Sequence, residues 1–273
     1  MNATVTNNNH SRTDHTDHTV VAASAPGQRP EQRSSFARVP AAFRLQFAVP
    51  STLIWVPLMV MGLSWAIGVG ILLMIDAQID DRNPIEDPLI APGAAQATIW
   101  CLAFMAAYAA SHTFPFSMAL SYSRRVYVLG AFLAFGLVSV GFGAFVALGA
   151  VIERLTDGLG RHVYVFDAPV FTDSAGILGV SVLGAVLCLF FMLFGFFWAI
   201  LYRRVSLVNL WIVMIGVVLV LLAWVAVVTL QEGWMSVWLW FLDQTTLTLA
   251  AWFGLGVVLL AVLNYALIRK ATI

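Results

Sequence analysis

VYVLGAFLAFGLVSVGFGAFVALGAVI, from Val126 to Ile152, contains no Asp, Glu, Lys or Arg, and the basic pair Arg124 and Arg125 stands directly before it. About 20 such residues suffice for a helix to cross the hydrocarbon of a bilayer. Working outward, five more charge-free stretches recur, over Leu45 to Ile75, Pro88 to Ser123, Ser174 to Tyr202, Val205 to Gln231 and Gln244 to Ile268. The pattern predicts an all-α polytopic membrane protein with six transmembrane helices, near 51–75, 95–113, 126–152, 175–201, 207–230 and 244–268.

The gaps between these stretches alternate in charge. Arg38 and Arg44, Arg124 and Arg125, Arg203 and Arg204, and Arg269 and Lys270 fall on one side of a six-span topology. The other side collects Asp76, Asp80, Asp81, Glu86 and Asp87, then Glu153, Asp157, Asp167 and Asp173, then Glu232 and Asp243, relieved by Arg82, Arg154 and Arg161. Lys and Arg near span ends mark the cytoplasmic side, so both termini are expected in the cytoplasm of a multi-pass protein of the cell membrane. The acids corroborate that orientation without setting it.

Six spans and their links use almost the whole length, which leaves a tail at residues 1–35. It is rich in Asn, Thr, Ser, Pro and Gln, lacks an apolar period, and reads as disordered and cytoplasmic. It also lacks the basic-then-apolar plan of a cleavable signal peptide. His10, His15 and His18 with Asp14 and Asp17 read as repeats of a hydrophilic tail rather than a metal site, which needs an ordered scaffold. Residues 36–273 form the membrane domain, opening with FARVPAAFRLQFA. There Phe36, Val39, Phe43 and Phe47 share helical spacing and predict an interfacial helix that becomes regular near Pro40.

Pro57 predicts a kink in the first span. Glycines crowd the third span at Gly130, Gly136, Gly141, Gly143 and Gly149 and the fourth at Gly176, Gly179, Gly184 and Gly195. They fit either static close packing or surfaces that slide. Trp234, Trp238 and Trp240 read as an aromatic belt, or as part of a short re-entrant helix before the sixth span. Cys101 and Cys188 lie roughly 10 Å apart in depth at about 1.5 Å per residue, too far for a disulfide.

Several functions are disfavoured by what the spans lack. Ion-coupled transport needs ionisable groups at depth, and the charge-free stretches contain no acid or base other than His112, near an interface. Ser64, Ser139 and Ser181 have no buried His or carboxylate to activate them, against an intramembrane hydrolase. No G-x-x-x-x-G-K-[ST] motif is present, so nucleotide use must come from another chain. Nothing points to nucleic acid.

The linker between spans two and three, HTFPFSMALSYSRRVYVLG from His112 to Gly130, predicts a break at Pro115, a short amphipathic stretch and a basic lead into span three. It resembles the cytoplasmic linker of ABC-2-type transporter permeases, the small bacterial six-span exporter membrane subunits. Their linkers run approximately F-P-F-A-L-x-x-G-x-S-R-R before aromatic residues and Leu-Gly. Phe114, Pro115, Phe116, Leu120, Ser123, Arg124, Arg125, Leu129 and Gly130 carry the match, and Ser121 stands where glycine is usual.

The resemblance implies that this linker is a coupling helix docking on a cytoplasmic ABC ATPase. It also implies a second permease subunit, identical or homologous, lipid surroundings, and export of a hydrophobic or amphiphilic substrate. The chain itself would be no enzyme and hold no cofactor, with ATP and Mg bound by the ATPase. The rival expectation is a non-transporting membrane scaffold or accessory subunit, binding another membrane protein through its glycine-rich faces.

Overall fold

The structure is a computed structural model that describes residues 38–47, 51–78, 89–90 and 93–269. The expectations for the 1–35 tail and its histidines, Phe36, Asp80, Asp81, Arg82, Glu86, Asp87 and Lys270 lie outside them. Nine helices follow one another among the described residues: α1 Val39–Gln46, α2 Val56–Asp76, α3 Gly93–Tyr108, α4 Phe114–Ala119, α5 Arg124–Leu155, α6 Pro169–Arg204, α7 Leu207–Leu230, α8 Trp234–Leu242 and α9 Thr246–Arg269. Two short strands, β1 Leu89–Ile90 and β2 Val163–Tyr164, pair in parallel.

Six helical segments are long and apolar enough to cross a membrane: Leu53–Asp76, Gln96–Ala119, Arg124–Leu155, Phe171–Arg204, Leu207–Leu230 and Thr246–Arg269. Several run past the expected limits because a helix ends where its hydrogen bonds end, not where its charge-free run does. Arg124 and Arg125 are the first turn of α5, and Glu153 and Arg154 lie in its last turn.

The prolines show how the chain accommodates a missing donor. Pro57 and Pro115 each follow a π-turn, Ser51–Trp55 and Ala109–Thr113. A proline ring removes its own N–H and crowds the carbonyl four residues back. Those carbonyls belong to Leu53 and Ser111, inside the π-turns, where the wider register relieves the crowding. The break expected at Pro115 is therefore a π-turn in one continuous segment that runs from α3 through α4 to Ala119.

α6 is the central post, packed on α3, α5 and α9. At Gly195 an added Cβ would overlap the Ala103 carbonyl of α3, and at Gly143 it would lie 2.7 Å from the Ser181 carbonyl of α6. These are backbone approaches that only glycine permits. By contrast Gly62, Gly70, Gly136 and Gly141 face open space. Around the tight crossings Leu102, Phe135, Met192 and Phe196 are buried, with the Phe135 and Phe196 rings edge to face at 5.5 Å.

Val39 and Phe43 of α1, and Phe47 just after it, are each partly buried. Ala42 and Gln46 are its buried residues, and Gly130 of α5 lies so close that a Cβ there would meet the Ala42 backbone at 2.8 Å. α6 changes direction at Gly176, whose φ 63, ψ −169 belongs to a region open essentially to glycine alone. α7 has no buried residue.

Candidate functional site

At the arginine-bearing end, the segment from Phe114 to Arg125 is built as a two-faced turn. Phe114, Ser117 and Met118 share one side of α4 by helical spacing. Phe114 packs its ring on Tyr127 at 5.2 Å, Ser117 is buried with its hydroxyl donating to the Phe114 carbonyl at 2.6 Å, and Met118 joins the core. Pro115, Phe116, Ala119 and Leu120 face outward, with Phe116 57% and Leu120 49% exposed.

The helix then stops in a Schellman arrangement. Tyr122 N–H donates to the Ser117 carbonyl and Ser121 N–H to the Met118 carbonyl, with Ser121 at φ 58. That left-handed conformation suits glycine best. Ser123 caps α5 by accepting from Val126 N–H at 3.4 Å. Arg124 is half-buried and Arg125 exposed. The expected linker residues thus come together in one turn, while Leu129 and Gly130 continue into α5. The Tyr127 hydroxyl ties this turn to the π-turn by donating to the Ala109 carbonyl at 2.9 Å. His112 stacks on Tyr108 at 4.1 Å.

The acidic end holds a site that the sequence reading missed. Glu153, expected in a water-facing gap, is 2% exposed. Its Oε2 accepts from the backbone N–H groups of Val165, Phe166 and Asp167 at 3.0, 2.8 and 3.0 Å, and Oε1 accepts from Trp65 Nε1 at 3.3 Å. Three successive amides on one carboxylate oxygen form an anion nest filled from within the chain. The neighbouring Arg154 binds Asp167 through two bonds, Nε to Oδ2 at 3.0 Å and Nη2 to Oδ1 at 2.8 Å. Two acids of this gap are therefore buried, Glu153 neutralised by backbone dipoles and Asp167 by Arg154.

The clasp holds a strip of chain that separates two cavities. Below it, Val165, Phe166, Ala168 and Phe171 roof an apolar cavity of about 400 Å³ walled by α2, α3, α5, α6, α8 and α9. Above it, Tyr164, Asp167, Thr172 and Asp173 join Arg154, Asp157 and His162 around a polar hollow of about 420 Å³. Partial burial, and then the nearby Asp157 carboxylate, push the Tyr164 phenol above its ordinary pKa. A turn of left-handed backbone at Asp157, Gly158, Leu159 and Gly160 borders that hollow. Among the described residues no cluster of His, Cys, Asp and Glu is close enough to hold a metal ion.

The sequence signal for the clasp was faint because its donors are backbone amides, which carry no residue signature. Only the adjacent Glu153 and Arg154 at the end of an apolar span hinted at it. The chain matches no family model, no curated protein and no solved structure.

Proposed function

We propose that the chain is the membrane-spanning permease subunit of an ABC exporter, working with a second permease subunit and a separate cytoplasmic ATPase to move a hydrophobic or amphiphilic substrate outward. The observation that carries this reading is the two-faced turn at the arginine-bearing end. Phe114, Ser117 and Met118 fix it to the bundle, while Phe116 and Leu120 stand uncovered beside Arg125. Exposed aromatic and aliphatic side chains followed closely by an exposed arginine suit a protein surface with an apolar groove and acidic margin. The left-handed Ser121 supports the same reading, since glycine is usual at that point of the ABC-2 linker.

A push on this turn has a physical route into the bundle. The segment from Gln96 to Ala119 is continuous, and the Gly195 to Ala103 approach leaves no slack between α3 and α6. The π-turn at Ala109–Thr113 is the point of different helical register along that lever. Binding and hydrolysis of ATP on the partner would favour one of two arrangements of the paired membrane subunits, and alternating them carries substrate.

The test is capture of the ATPase by chain carrying Phe116→Ser with Leu120→Ser, and by chain carrying Arg124→Gln with Arg125→Gln. Both pairs should lose the ATPase, or hydrolyse ATP uncoupled from export, with unfolding in detergent unchanged. The second reading, a membrane scaffold, draws on α7, whose uncovered surface suits another membrane protein. In that case a membrane partner co-purifies without an ATPase, and neither pair of substitutions affects it.

A further inference from the structure

We infer that the strip from Val165 to Ala168 is a gate between the two cavities, and that the Glu153 carboxylate is its latch. The partition is one chain thick. Val165, Phe166 and Ala168 line the apolar cavity, Tyr164, Asp167 and Pro169 line the polar hollow, and no residue lines both. Neighbouring residues that point to opposite sides leave only backbone between the two spaces. Displacing the strip would therefore join a space walled by membrane helices to a hollow rimmed by the exposed Asp157 and His162.

The latch is built to release as a unit. All three amides bond to one oxygen, Oε2, so rotation of a single side chain frees Val165, Phe166 and Asp167 together. The other oxygen accepts from Trp65 of α2, and Met61, one turn earlier on the same face of α2, is a wall of the apolar cavity. A change in that cavity which displaces α2 thus pulls on the latch. The second tie is the ion pair of Asp167 with Arg154, whose side chain is 52% exposed, and solvent-facing pairs hold weakly. Once released, the amides and Asp167 meet water from the hollow, so opening strands no buried polar group. The strip can also move without unwinding a long span. It is preceded by irregular backbone from Asp157 to His162 and followed by a short helical piece that ends at the break in α6 at Gly176. The gate goes beyond the exporter reading, because it is contained in one chain and can fail without it.

The test places one thiol behind the strip. Val180→Cys, at a buried position on the cavity wall, is the reporter in the full chain with Cys101→Ala and Cys188→Ala, held in nanodiscs. The probe is a permanently charged methanethiosulfonate, which does not enter hydrocarbon, and the modification rate is followed by mass spectrometry. Slow modification is expected while the strip is latched. Trp65→Phe with Arg154→Gln removes the two outer ties, leaves the three amide bonds, and should speed modification several-fold. Glu153→Gln, which weakens the latch itself, should speed it at least tenfold. Ala134→Cys, buried in α5 outside both cavities, reports general loosening and should not accelerate in either background. Should Glu153→Gln fail to fold, Trp65→Phe with Arg154→Gln decides. A rate that this pair leaves unchanged, a rate already fast in the parent, or equal acceleration at Ala134→Cys overturns the gate.

Discussion

The two ends of this bundle treat their polar groups in opposite ways. At the acidic end Glu153 is saturated by three amides and Trp65, Arg154 is held bidentately by Asp167, and the Tyr164 hydroxyl donates to Asp157 at 3.3 Å. At the other end, among the described residues, Arg38, Arg44, Arg124, Arg125 and Arg203 form no ion pair, and Phe116 and Leu120, a few residues before Arg124, lie uncovered. The ends also carry opposite charge, basic against acidic, although the chain is neutral overall. Among the described residues, the clasp at Glu153 and Asp167 is closed within the chain, whereas the turn from Phe114 to Arg125 keeps apolar and basic side chains exposed.

The comparison is most exposed to failure at Glu153. Glu153→Ala strands three buried amides and an indole N–H, and should destabilise the chain by about 3–5 kcal/mol, read as a large fall in the detergent unfolding midpoint. Arg124→Gln with Arg125→Gln at the open end should stay within about 0.5 kcal/mol of the parent. Equal losses at both ends would erase the distinction.

A smaller contrast separates packed from unpacked helices. Gly195→Ala drives a Cβ into the Ala103 carbonyl and should cost about 1–3 kcal/mol. Gly216→Ala on α7 meets nothing within 4 Å and should be silent to within about 0.5 kcal/mol in the isolated chain. A cost at Gly216 that appears only in native membranes would locate a partner on α7.

The smallest effect sharpens the open end. Ser121 holds a left-handed backbone conformation, and Ser121→Gly should stabilise the chain by about 1 kcal/mol without altering the turn. A loss would mean that the serine side chain is needed there.

How much of this was legible in the sequence depends on which atoms carry each feature. Six spans were readable because a bilayer demands long charge-free runs, and all six appear as helices near the expected places. The limits were missed where charged residues continue a helix, as Arg124, Arg125, Glu153 and Arg154 do in α5. Pro115 was read as a break because a proline announces the lost donor, but not the π-turn that absorbs it. The glycines were visible as a class, yet only the crossing geometry separates Gly195 from Gly136. The linker residues were visible as a run, but the division into inward Phe114, Ser117 and Met118 and outward Phe116 and Leu120 came only with the packing of α4. The clasp on Glu153 was not legible, because its donors are backbone amides and its fourth partner, Trp65, lies 88 residues away in the chain.

The most direct measurement isolates the intact chain from its native membrane in mild detergent, quantifies by mass spectrometry any co-purifying ATPase that contains a P-loop, and repeats this with Phe116→Ser and Leu120→Ser combined. The account predicts an ABC ATPase in stoichiometric amount with the parent chain, lost at least tenfold with the doubly substituted chain while both unfold at the same temperature. An ATPase absent from the parent preparation, or retained equally by both, would contradict it.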